Sequence, residues 1–270
     1  MFNLRNIILL TLAIAFSSGI LAGDLEDGNA AINRKDYPTA LIKYKRAAEK
    51  NNAFAQMQVG NIYNEGLGVK QDYAEAVRWY RLAAAQGHAG AQLNLGIMYD
   101  EGQGVVQDYA EAARWYRLAA AQGDVSAQLN LGIMYDKGQG VVQDHAEAVR
   151  WYRLAAAQGL VIAQYNVGVK YDKGQGVVQD YAEAARLYKL AATQGHASAQ
   201  SNLGGMYGKG EGVAQDYTRA HMWWNLAAAK GESIAVKNRD VVAKQMTQQQ
   251  VAEAQKLARE CQARNFKNCD

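Results

Sequence analysis

Apolar positions follow a helical period along most of this chain, in short blocks separated by glycines. Around Ala91 to Glu101, Leu95, Met98 and Tyr99 recur at helical spacing and predict a first helix, A, with one apolar stripe. Gly102-Gln103-Gly104 then stops it, because glycine takes the positive φ that ends helices. Val105 is apolar within a polar loop and is expected to plug the end of the helix pair. Tyr109, Ala112, Tyr116 and Ala119 stand at i, i+3, i+7 and i+10, one face of a second helix, B. Asp108 is placed to cap helix B, and Glu111 three residues on predicts a capping box. Large Trp115 and Tyr116 alternate with Ala112, Ala119 and Ala120, so knobs have holes to fill, and Gly123 closes the helix.

This two-helix block recurs. Ala-Gln pairs begin at Ala55, Ala91, Ala127, Ala163 and Ala199, a constant step of 36 residues. Five copies fill 55–234. The same register holds Gly60, Gly96, Gly132, Gly168 and Gly204 inside helix A, where glycine costs about 1 kcal/mol against alanine. A cost repeated in every copy implies a packing reason, the close approach of a neighbouring helix. The D-x-x-E pair recurs as Asp72/Glu75, Asp144/Glu147 and Asp180/Glu183, and breaks in the last copy, where Arg219 follows Asp216.

A stack of such units exposes apolar ends unless terminal elements cover them. Residues 23–54 are expected to be an N-terminal capping half-repeat: Asp36-Tyr37, Ala40 and Tyr44 match Asp72-Tyr73, Ala76 and Tyr80, and the stretch from Leu25 to Asn33 supplies a partner helix. Pro38, the single proline, falls in a first helical turn, where its missing N–H does no harm. Residues 235–270 are expected to be a C-terminal helical cap, with a helix from Ala235 to Lys244 and a last one opened by a Thr247/Gln250 box. Residues 1–22 read as a signal peptide: Arg5, then the apolar run Ile7 to Phe16, then small residues up to Ala22. An uncleaved anchor is the alternative, although the run is short for a membrane span of about 20 residues. Asp24 stands where a lipid-anchoring cysteine would follow Leu21-Ala22-Gly23.

Composition narrows the function classes. Lys plus Arg number 29 and Asp plus Glu 26, a balance of +3 that gives no nucleic-acid footprint. Cys261 and Cys269, the only cysteines, both lie in the tail; an even count in an exported chain favours a disulfide, with two free thiols as the alternative. His88, His145, His196 and His221 form no metal-binding spacing, so they read as surface or partly packed groups. No phosphate loop follows the glycines, and no serine or cysteine sits in a nucleophile context. Catalytic, cofactor and metal residues are therefore expected to be absent. Arg78, Arg81, Arg114 and Arg117 make an exposed stripe on helix B, with acids nearby.

The pattern AQLNLGIMYDEGQGVVQDYAEAARWYRLAAAQG resembles the Sel1-like repeat, a relative of the tetratricopeptide repeat. The paired loop glycines, the D-Y-x-x-A box, W-Y-x-x-A-A and the closing glycine carry the resemblance together. It implies an all-α fold: a right-handed α-solenoid of stacked antiparallel helix pairs, with the A helices on the concave side. The positions that vary between copies would then line a trough. They include Met57 and Asn61; Leu93, Ile97 and Asp100; Leu129, Ile133 and Asp136; Tyr165, Val169 and Asp172. An apolar floor with spaced charges suits a protein or peptide partner; ordinary packing between adjacent A helices is the alternative.

The resemblance implies a non-catalytic adaptor, and the leader pattern places it outside the cytoplasm, in a bacterial periplasm, secreted or at the cell surface, without stable membrane insertion once the leader is removed. Exported cysteine-rich relatives have been linked to β-lactam binding and hydrolysis, an alternative that here meets repeats without cysteine. A third reading is an envelope-tethered structural spacer.

Overall fold

The computed structural model describes residues 23–267 and Cys269. The leader assigned to residues 1–22 lies outside the described residues. Within them every regular element is a helix, and consecutive helices pack in stacked adjacent pairs. The chain divides into two compact units: one runs up to Ala127 and adds Gln139–Val141, and the other comprises Gln128–Gly138 and Val142 onward.

The first unit starts with α1 (23–33) and α2 (Tyr37–Glu49). It continues with α3 (Ala53–Glu65), α4 (Tyr73–Ala85), α5 (Ala89–Glu101) and α6 (Tyr109–Ala121). A methyl group on Gly96 of α5 would stand 2.6 Å from ring carbons of Tyr116 on α6. The repeated glycine thus makes room for a buried aromatic ring, and not a helix backbone: tyrosine in four copies and Trp224 against Gly204 in the last. Gly28 of α1 meets Tyr44 of α2 in the same way, at 2.8 Å. The N-terminal segment is therefore a helix pair of the repeat kind with a shortened connection, closed by Lys35 at φ 60°. Gly104, at φ 69°, brings its loop against the backbone of Tyr73 at the start of α4; a Cβ there would be 2.4 Å from the Tyr73 carbonyl. Val105 beside it is half-buried against the α4–α5 core, as a plug must be.

The second unit holds most of α7 (Val125–Lys137), then α8 (His145–Ala157), α9 (Val161–Lys173) and α10 (Tyr181–Ala192). After these come α11 (Ala197–Lys209), α12 (Tyr217–Ala228), α13 (Ser233–Ala243) and α14 (Gln248–Ala263). α14 packs on α12 and buries Ala254, Ala258 and Cys261. A disulfide joins Cys261 to Cys269, and both are buried in the terminal core with Phe266 against them.

The B-helix starts differ from the sequence expectation in one respect. Asp72, Asp108, Asp144, Asp180 and Asp216 all cap B helices through their side chains. Among these helices the box is seen closed not at the B-helix aspartates but at Thr247/Gln250. The backbone N–H of Asp108, which Glu111 would have accepted, already donates to the Tyr99 carbonyl at 2.9 Å, and the other copies do the same with their own tyrosine. The glutamate is left free and turns to the arginine three residues on, as Glu75 does to Arg78 and Glu183 to Arg186.

Candidate functional site

The eleven face positions fall on α3, α5, α7 and α9. All of them are half-buried, neither sealed in the core nor fully in water. Among the apolar members, Met57 packs on the α4–α5 core. Leu129 and Ile133 pack on the core of Tyr152 and Val167, while Tyr165 and Val169 pack on the terminal core. Leu93 and Ile97 keep one side toward solvent, like the rest. Tyr165 also stacks on His196, with ring centroids 4.6 Å apart, and burial pushes its phenol pKa up.

The polar members are drawn inward. Asn61 accepts from the Tyr80 hydroxyl at 2.9 Å and from Asn94 at 3.0 Å, so it joins its own B helix to the next A helix. The Tyr116 hydroxyl donates to Asp100 at 3.3 Å, and the Tyr188 hydroxyl to Asp172 at 3.1 Å. Burial raises the pKa of Tyr80, Tyr152 and Tyr188 far above the ordinary phenol value, and the carboxylates beside Tyr152 and Tyr188 add to it. The hydroxyls of Tyr80, Tyr152 and Tyr188 therefore stay protonated near neutral pH.

Asp136 is different. Its carboxylate meets the Lys170 ammonium and lies 2.7 Å from Nδ1 of His145. Both partners depart from the repeat: Lys170 stands where other copies bury Ile62, Met98, Met134 and Met206, and His145 where they have tyrosine. Lys170 is 5% exposed, and its polar partners are Asp136 and Gln175, whose side-chain oxygen is 3.1 Å away. Two exceptions in different copies thus converge on one carboxylate.

Several roles escaped the sequence reading. The glutamine of each Ala-Gln pair is buried. Gln56, Gln92, Gln164 and Gln200 donate to the carbonyls of Ala48, Ala84, Ala156 and Ala192. Gln86 and Gln122 in turn donate to Gln56 and Gln92 in the first unit, and Gln158 and Gln194 to Gln128 and Gln164 in the second, forming a polar ladder within each. The last rung is incomplete: position 230 is lysine, and the Gln200 side-chain oxygen is buried without a partner. A signal for the ladder was present, a glutamine at an otherwise apolar face in every copy. His88 and His196 are helix caps whose Nδ1 accepts from Ala91 and Ala199. Burial lowers the His196 pKa. His221 is buried, not on the surface, and burial, reinforced by Arg239, lowers its pKa. Arg114 of the basic stripe, and Arg150 at the same place in the next copy, lie over Trp115 and Trp151, with centroids 4.7 and 4.2 Å away.

The described residues contain no cluster of three or more His, Cys, Asp or Glu side chains able to hold a metal ion, and no helix among them is long and apolar enough to cross a membrane. Within each unit the helix faces are packed and mutually bonded, and the A helices carry half-buried side chains.

Comparison with known proteins agrees with this architecture. No curated protein matches the chain. Among solved structures it is similar to c5321, described as a protective antigen present in uropathogenic Escherichia coli strains displaying an SLR fold. That match has 37% identity and a TM-score of 0.82, and covers 97% of this chain and 57% of that one. This chain thus spans little more than half the length of that antigen. It is also similar to a Sel1 repeat protein from Oxalobacter formigenes, with 35% identity, a TM-score of 0.73, and coverage of 80% of this chain and 86% of that one. The family model described as "Sel1 repeat" matches residues 53–88, 89–124, 125–160, 161–196 and 197–232, a frame two residues ahead of the Ala-Gln pairs. Since these matches run without a gap through 180 of the 270 residues, the chain belongs to the Sel1 repeat family.

Proposed function

We propose that this protein is an exported, non-catalytic scaffold that holds a protein or peptide partner along its A-helix faces. The observation that carries the reading is the contrast between fixed and variable positions. The glycines, alanines and glutamines that build the stack are repeated, whereas a half-exposed place on the A helices takes four identities in five copies: Met57, Leu93 and Leu129, Tyr165, Ser201. Packing does not demand that variety, and partner recognition does. Sel1 repeat folds are scaffolds typical of protein–protein interaction, and a row of half-buried apolar groups offers anchors for a partner's side chains.

Export is supported by the leader pattern of residues 1–22 and by the Cys261–Cys269 bridge, which suits an oxidising compartment. Periplasm, cell surface and secretion all fit.

Capture of crosslinked partners from the native envelope, by the mature protein and by an Ile97→Asp plus Ile133→Asp variant, tests the reading. Partners are expected to be lost from the variant while its circular dichroism and melting profile stay native. A folded variant that retains the same partners would place the binding surface elsewhere.

A further inference from the structure

The fourth copy breaks the repeat at one place on its B helix. Trp79, Trp115, Trp151 and Trp223 occupy the seventh position of α4, α6, α8 and α12; in α10 that position is Leu187. Where the indole is present, its surroundings recur. Trp79 is 8% exposed and shares a packed cluster with Ala48 and Val59, with Tyr63 against it. Trp115 lies against the cluster of Ala84 and Leu95, with Tyr99. The Trp79 Nε1–H donates to Glu75 at 2.9 Å while Glu75 still holds Arg78, whose guanidinium lies 5.1 Å from the ring centroid.

Leu187 is shorter and has no ring, and a pocket of ≈ 520 Å³ opens beside it, within the range of ligand sites. Its lining includes Ala156, Val167 and Tyr171, with Glu183 and Arg186 at the rim. Three repeat steps earlier the same places are Ala48, Val59, Tyr63, Glu75 and Arg78, the groups that surround Trp79. The protein therefore carries, in its own first copy, the image of what fits this pocket.

We propose that the pocket between α8, α9 and α10 is a receptor for the indole of a tryptophan carried by a protein or peptide partner. The ring lies on Ala156, Val167 and Leu187, and Arg186 closes over its face. Glu183 receives the ring N–H without releasing Arg186, which it holds at 2.7 and 2.8 Å, as Glu75 holds Arg78 beneath Trp79. The buried Nε1 atoms of Trp115 and Trp151 have no acceptor, so ring shape carries most of the recognition and Glu183 adds orientation. This site uses none of the eleven face positions on the A helices and does not rest on their use.

The probe is N-acetyl-L-tryptophanamide, titrated into the isotopically labelled mature protein with backbone amide shifts as readout. Saturable shifts at Ala156, Val167 and Leu187 are expected. Leu187→Trp, which restores the repeat, should keep or raise the melting temperature and weaken binding at least about tenfold. Leu190→Asp, at a rim residue already 40% exposed, should weaken it comparably without disturbing the fold. The N1-methyl probe should bind more weakly than its parent. A blocked pentapeptide with a central tryptophan should bind at least as well as the amide. Absence of saturable shifts, or unchanged binding by folded Leu187→Trp and Leu190→Asp variants, would overturn the assignment. Equal affinity for the N1-methyl probe would remove Glu183 from it, and binding of the amide but not the peptide would replace the protein partner with a free indole compound.

Discussion

At the scale of single residues, the most informative feature is a lysine where the repeat has a hydrophobic side chain. Lys170 is buried, and a buried ammonium is tolerated only when paired and hydrogen-bonded. Asp136 supplies the countercharge and also holds His145. Removing one partner of such a pair costs more than replacing the charge altogether. Asp136→Ala is therefore expected to destabilise the protein by about 3 kcal/mol in urea unfolding, and Lys170→Met to be neutral or stabilising by about 1 kcal/mol. In the double variant the Asp136→Ala loss should largely disappear. An equal loss with and without Lys170→Met would mean that the lysine is not what Asp136 satisfies. The identities of these residues were legible in the sequence, but their meeting was not, because they lie in two copies and approach only through the stack. Likewise Asn61, Asp100 and Asp172, expected along a trough, have neighbours that bond them inward. Only their half-burial leaves them in reach of solvent.

At the scale of helices, periodicity and punctuation determine most of the outcome. A stripe at helical spacing, a capping aspartate and a closing glycine place α3 through α12 close to their expected bounds. The A helices begin two residues earlier than the Ala-Gln pairs because Asn52, His88, Asp124 and His196 offer acceptors to the second residue after the helix start. A histidine cap carries little sequence signal, since Leu160 fills the same place without a side-chain bond. The glutamate of the apparent capping box was misread for a similar reason: the competing Tyr99 carbonyl belongs to another helix and is invisible to local pattern. The two halves of the motif should thus behave differently. Asp108→Ala should cost about 1 kcal/mol, as loss of an N-cap does. Glu111→Ala removes only an exposed pair with Arg114 and should cost less than about 0.5 kcal/mol. Comparable losses in urea midpoints would restore the box.

At the scale of the whole molecule, stability should depend on pH through groups that folding desolvates. His221 is buried with its pKa lowered, first by burial and then by Arg239. A lowered histidine pKa means that the unfolded chain binds the proton more readily. This contribution is fully present above the ordinary value of 6.5 and is lost as pH falls from there toward the folded-state value. Glu183, held below its ordinary carboxylate value by the Arg186 hydrogen bond, loses its contribution only in more acid solution, below about 4.5. Urea midpoints should fall between pH 7 and 5 in the wild type and fall less in His221→Phe. An identical decline in both would assign the effect to other groups.

The two compact units share one repeat plan, and the account of function rests on which face of that plan meets a partner. A photo-crosslinking phenylalanine analogue placed at position 93 or 129 samples the A-helix face; the same analogue at position 118, on the exposed side of α6, samples a B helix. Irradiation in native cells should give discrete adducts from positions 93 and 129 and none of the same mass from 118. Adducts from 118 with nothing at 93 or 129 would contradict the assignment of partner binding to the A helices.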